Sequence, residues 1–256
     1  MTDSPCLLYE TRTVRCAQRH KKMVDSMKSH TWTILIVFTL GMITFSGSMA
    51  TAQLLHGKHQ VVIDAAHGGS DTGVALTGKY HEKDITLMIA TQLKRELDKT
   101  SNINAVLSRS ADKDMSFSDR AKVVSASHAE LFVGIHVNAG FGKEASGYEI
   151  YFPMVMSESG RHVDSQEIIK DMAKNKYMND SVKLAQLIQR NIETVFPRKS
   201  RGLRNAPFAV FESLASPAVI VEIGFSTNHE DKKKIIDDNI RAAIARAISK
   251  SITEYF

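Results

Sequence analysis

Short apolar runs alternate with amphipathic stretches along most of this chain. Residues 60–64 form a β-branched run ending in the glycine-rich His67-Gly68-Gly69, which reads as a buried strand running into a loop. Ile85, Ile89, Leu93 and Leu97 then recur every four residues and predict a helix over residues 84–99. By the same reading residues 117–128, 181–195 and 237–255 are helical. Residues 104–107, 131–137, 147–152 and 218–223 are further strands, several of them apolar on both faces. Strands alternating with helices predict an α/β fold: a single domain with a twisted, mostly parallel or mixed sheet of about six strands flanked by helices. No internal repeat or second domain is visible in the sequence.

The N-terminal region breaks this pattern. Residues 31–55 contain no Asp, Glu, Lys or Arg, and their apolar centre is residues 34–43. Lys28 precedes that centre and Ala50-Thr51-Ala52 follows it, which is the three-part pattern of a secretory signal cleaved after Ala52. The competing reading is an uncleaved membrane anchor, since the charge-free stretch is long enough to span a bilayer. Residues 1–52 are thus expected to be an extension plus signal peptide, with translation starting at Met27, or at Met23, rather than Met1. Residues 53–256 are the expected folded domain.

Charge and cysteine content narrow the partners. The chain carries +5, but residues 1–52 account for +3 of it, leaving +2 for residues 53–256. That remainder has no basic stripe with interleaved aromatics, so nucleic acid is not an expected partner. Membrane contact is expected only through the signal or an uncleaved anchor. Cys6 and Cys16 are the only cysteines, and both lie in the N-terminal segment, so chemistry in the domain must do without thiolates.

Three positions resist a purely structural reading. His136 and Glu222 interrupt apolar strands, and His67 sits in a glycine-rich loop directly after one. Buried charge is costly unless it is paired or bound to a metal. Zinc would account for them: two histidines and a carboxylate, His67, His136 and Glu82, would fill three positions and leave a fourth for water. Glu222 would then accept the water's proton. Spacing does not establish this, because no compact H-E-x-x-H signature is present and each histidine alone also fits a core or surface role.

The segment from Val61 to Gly69 resembles the opening motif of the zinc-dependent N-acetylmuramoyl-L-alanine amidases, the type 3 family. His81 to Ile85 is similar to their second-ligand segment, and Leu131 to Asn138 to their third-ligand strand. Leu107-Ser108-Arg109, Ser118 to Ala121, Arg201 to Phe208 and Pro217 to Phe225 resemble further landmarks, in the family's order, over about residues 60–256. Ala66 stands where a Gly is usual and Ser110 where an Asp is usual.

The resemblance implies one zinc per chain on His67, Glu82 and His136, with Glu222 as the catalytic carboxylate. It implies cleavage of the amide between the lactyl group of N-acetylmuramic acid and the L-alanine of the peptidoglycan stem peptide. Arg109, Arg204 and Asn138 are candidate substrate-binding residues, although a surface ion pair is the favoured reading for both arginines. Asp64 either orients His67 from behind or caps a turn.

Residues 154–180 match nothing in the minimal family core. They are read as an insert that either blocks the site until a protein activator binds or is an ordinary surface excursion. The rival functions are another zinc peptidoglycan peptidase, such as a carboxypeptidase, and a non-catalytic cell-wall-binding domain. The expected location is across the inner membrane, in the periplasm.

Overall fold

The computed structural model describes residues 57–154 and 165–256. The signal-like segment, its cleavage point, the alternative start sites and residues 155–164 of the expected insert lie outside the described residues. Residues 58–256 make one compact unit.

The chain order is β1 (His59–Ala65), α1 (Glu82–Leu97), β2 (Ile103–Leu107), α2 (Phe117–Ala126), β3 (Leu131–Asn138), β4 (Tyr148–Pro153), α3 (Ser165–Ile192), β5 (Ser200–Ala206), α4 (Ala209–Glu212), β6 (Ala218–Phe225), α5 (His229–Ile236) and α6 (Asp238–Tyr255). The six strands form one mixed sheet in the order β2-β1-β3-β6-β4-β5. Strands β2, β1, β3 and β6 run parallel, β4 pairs antiparallel to β6, and β5 follows β4 in parallel. The expected α/β sheet of about six strands is therefore observed.

Strand alternation sorts the core onto two faces. Val61, Ile63, Val133, Ile135, Val219 and Val221 point to one face, where Ile85, Ile89 and Leu93 of α1, Leu184 and Ile188 of α3 and Ile244 and Ile248 of α6 pack against them. Val62, Phe132 and Ile220 point to the other, under Val124 of α2 and Val210 and Phe211 of α4. Asp64, His136 and Glu222 share the parity of this second set, so the sheet presents all three on its thinner-covered face.

Three local departures from the sequence expectation have physical causes. Helix α1 begins at Glu82 rather than 84, because the Asp84 carboxylate accepts the His81 backbone N–H at 2.9 Å and starts the helix earlier. Strand β5 is polar and half-exposed along most of its length, as suits an edge strand, and so carried no hydrophobic alternation to reveal it. Residues 165–180 of the expected insert and the helix after it are one 28-residue helix, α3, with no Gly or Pro inside to interrupt it. Its second half buries Leu184, Ala185, Ile188 and Ile192, whereas Ile168, Ile169 and Met172 in its first half are exposed.

Candidate active site

The parallel strands end at one edge of the sheet, where chains in such folds reach their binding crevices. Just beyond β1, His67 adopts a left-handed backbone (φ 60°), an uncommon conformation for a side-chain-bearing residue. Two buried arginines hold the carbonyls around it. Arg120 ion-pairs with Asp64 and donates to Ala65 O at 2.8 Å and His67 O at 2.8 Å. Arg109 donates to the carbonyls of Ala65 (3.0 Å), Ala66 (2.9 Å), Lys83 (2.8 Å) and Ala111 (3.2 Å), and to the Thr86 hydroxyl.

Glu82 occupies the first turn of α1, where the helix dipole favours a carboxylate. It is 2% exposed, and its two oxygens accept the backbone N–H groups of Val137 (2.9 Å) and Val74 (3.1 Å). The same oxygens meet His67 Nε2 at 3.1 Å and His136 Nδ1 at 3.4 Å. One donor atom from each of His67, Glu82 and His136 lies within 4.8 Å of the others. Tetrahedral zinc bonds of about 2.0–2.1 Å place adjacent donor atoms roughly 3.3 Å apart, so two imidazole nitrogens and a carboxylate oxygen at these separations fit the ion. The donor set, nitrogen and oxygen without thiolate, suits a borderline cation of this kind.

The close approach needs Gly73 (φ 62°). A Cβ there would lie 2.6 Å from Glu82 Oε2 and 2.7 Å from His67 Cδ2. On the far side of the His67 ring, Asp71 Oδ2 meets Nδ1 at 2.8 Å and fixes the ring so that Nε2 faces Glu82.

The three groups perturb one another strongly. Burial alone would lower the His67 pKa, but the hydrogen bond and charge of Glu82, followed by Asp71, push it up to about 9. Burial would likewise raise Glu82, yet the two imidazoles hold it down at about 2. His136 is raised against its burial by Glu82 and Glu222. A cation held by these residues would take the place of those shared protons.

Glu222 stands beside His136, its register partner across β3 and β6. Its Oε2 is buried with no hydrogen-bond partner among the described residues. Burial, together with the charges of Glu82 and Glu149, raises its pKa to about 7 against the opposing pull of His136 and His67. A carboxyl group that titrates near neutrality at the edge of a metal-fitting cluster is suited to accept and return a proton.

Among the remaining expectations, Arg109 is corrected. It is 1% exposed and spends its donors on backbone carbonyls of β1, α1 and the neighbouring loops and on a hydroxyl, so it forms no surface ion pair. Asp64 does not touch the His67 ring and does not cap a turn. It pairs with Arg120, which in turn holds the His67 carbonyl. Asn138 Nδ2 donates to Glu149 Oε2 at 3.0 Å, and half-exposed Arg204 lies 3.5 Å from Glu149 Oε1. Glu149, Arg201 and Asp71 belong to the site and were not anticipated. Asp71 could have been found four residues after His67 in the glycine-rich loop, and Glu149 as a lone acid between Tyr148 and Ile150 in an apolar strand.

The family described as N-acetylmuramoyl-L-alanine amidase matches residues 61–254. An uncharacterised protein of Bacillus subtilis strain 168, YqiI, is 32% identical over 215 residues, spanning 84% of this chain and 92% of that protein. The N-acetylmuramoyl-L-alanine amidase AmiA of Escherichia coli K12 is 28% identical over 223 residues, spanning 78% of this chain and 77% of the enzyme. The crystal structure of an N-acetylmuramoyl-L-alanine amidase from Clostridium difficile 630 aligns with a TM-score of 0.65 at 31% identity, covering 78% of this chain and 97% of that one.

Proposed function

Because this chain belongs to the N-acetylmuramoyl-L-alanine amidase family, we propose that it cleaves the peptidoglycan amide between the lactyl group of N-acetylmuramic acid and L-alanine with the help of one zinc ion on His67, Glu82 and His136. Held by these residues, zinc would supply Lewis acidity to the scissile carbonyl and to the attacking water. Glu222 takes the proton from the attacking water and delivers it to the departing L-alanine nitrogen, a double role that suits a carboxyl with a pKa near 7. Asp71 keeps the His67 ring turned toward Glu82, and the Arg109 and Arg120 contacts keep its backbone in place. Asn138 and Arg204, both held against Glu149, serve as substrate-binding groups. The observation that carries this reading is the buried Glu222 Oε2, which has no hydrogen-bond partner among the described residues, next to a His-Glu-His cluster.

The charge-free residues 31–55 support secretion into the periplasm, where this substrate is found. The exposed Ile168, Ile169 and Met172 support a protein activator acting on the first half of α3.

The test is mass spectrometry of purified peptidoglycan digested by the zinc-loaded protein and by Glu222→Gln. Intact stem peptides with a free L-alanine N-terminus from the wild type, reduced by about 10²–10⁴-fold in the variant, are expected. Release of single amino acids instead would make the protein a peptidase and refute the bond assignment.

A further inference from the structure

Glu149 and Glu222 face one another across the antiparallel pairing of β4 and β6. Side chains at such paired positions are separated by about 4.5–5.5 Å at Cβ, and like charges there repel. The two carboxylates are treated differently by their surroundings. Glu222 Oε2 has no donor among the described residues, whereas Glu149, 4% exposed, has four groups around it. Its Oε2 accepts from Asn138 Nδ2 at 3.0 Å and from the Tyr151 hydroxyl at 2.7 Å. Its Oε1 accepts from Arg201 Nε at 2.7 Å and lies 3.5 Å from an Arg204 terminal nitrogen.

Two guanidinia meet the single Glu149 Oε1, so part of their donor capacity is left over. Arg201 spends only Nε on Glu149, and its guanidinium lies over the Phe225 ring at 5.0 Å. No contact among the described residues uses its terminal nitrogens, and the side chains of Arg201 and Arg204 are 38% and 50% exposed. A planar guanidinium anchored at one edge offers the rest of its fork to a carboxylate in a two-point hydrogen bond. These donors stand on the Glu222 side of the cluster, which under the proposed reaction is the side where the peptide departs.

We propose that Glu149 is a positioning residue that holds Arg201 and Arg204 as a receptor for a carboxylate on the peptide half of the substrate. The inference rests on the amidase reading above and adds to it the group that sets peptide specificity. Arg201 and Arg204 touch the substrate, and Glu149 acts through them.

The test uses the full, zinc-loaded chain with two muramyl peptides that differ only in whether the peptide carboxylates are free or amidated. KM and kcat are measured for wild type and Glu149→Gln, and zinc content is measured in each. Wild type is expected to favour the free carboxylates on the order of tenfold, mainly through KM, as befits one charge-assisted contact. In Glu149→Gln that preference collapses to about threefold or less with zinc retained, because the amide no longer anchors the guanidinia. A preference equal to wild type in the variant, or an equal loss on both peptides, overturns the inference. Wild type that cleaves both peptides without preference overturns it while leaving the amidase reading intact. Wild type that cleaves neither removes the amidase reading and the inference with it. Should Glu149→Gln not fold, Arg201→Lys provides the same readout at an exposed position, and an undiminished preference there also overturns the inference.

Discussion

Replacing Arg109 by Met separates a buried clamp from a substrate-binding arginine. The substitution roughly conserves volume and deletes every donor that Arg109 directs at the carbonyls of Ala65, Ala66, Lys83 and Ala111. Not all of those carbonyls are left bare. Ala65 O keeps Arg120 at 2.8 Å, and Thr86 can still serve either Ala66 O at 2.9 Å or Lys83 O at 3.3 Å. The net loss is therefore one or two charge-assisted bonds, each worth about 1.5–3 kcal/mol, and a total of about 3 kcal/mol is expected. For a domain of this size each kcal/mol moves Tm by about 2–4 °C, so the melting temperature should fall by roughly 6–12 °C. Thermal and urea denaturation of the metal-free protein measure this, with KM on muramyl peptide as the companion assay. A Tm within about 1 °C of wild type together with a several-fold higher KM would refute the clamp and return Arg109 to the substrate.

Two further outcomes follow from the metal cluster and from helix α3. In the metal-free protein, His67 at about 9 lies above its ordinary 6.5, so its stabilisation is complete below pH 6.5 and is lost as pH rises through 9. Glu82 at about 2 lies below 4.5, so its stabilisation is complete above pH 4.5 and is lost as pH falls through 2. The cluster's contribution should thus be greatest from pH 4.5 to 6.5, and zinc binding at pH 7 should release about one proton per ion from His67. Calorimetry in buffers of different ionisation enthalpy counts it, and binding without proton release would sink the assignment of these ligands. If the first half of α3 restrains the site, deleting residues 157–178 should raise peptidoglycan hydrolysis, and unchanged or lower activity in a folded variant would remove the regulatory reading.

His136 and Glu222 stood out in the sequence because they violate their surroundings, whereas Glu82 was pointed to by the family resemblance. His136 and Glu222 are polar residues in strands that are otherwise buried and apolar, and parity within β3 and β6 places them side by side. The roles of Arg109 and Asp64 were not legible. A guanidinium is ordinarily exposed, and nothing local announces that most of its partners will be carbonyls more than 20 residues away in the chain. Strand β5 escaped for a related reason: its identity comes from pairing with β4 and not from its own Ser-Arg-Gly-Leu-Arg-Asn-Ala composition. Glu149 gains its significance only once β4 is laid against β6 in the opposite direction.

That reversal of direction has a consequence for inheritance. The groups that fit a cation enter from the ends of strands or from the loop and helix after β1, all within residues 64–138, and the proton-carrying acid enters from β6. Glu149 and Arg201 sit at the beginnings of β4 and β5, immediately after the loops at residues 139–147 and 193–199. The machinery for breaking the bond and the machinery for choosing the peptide are thus written in separate stretches of the gene. Substitutions at codons 201 and 204 can retune which peptides are accepted while residues 64–138 and 218–225 pass unaltered from parent to descendant.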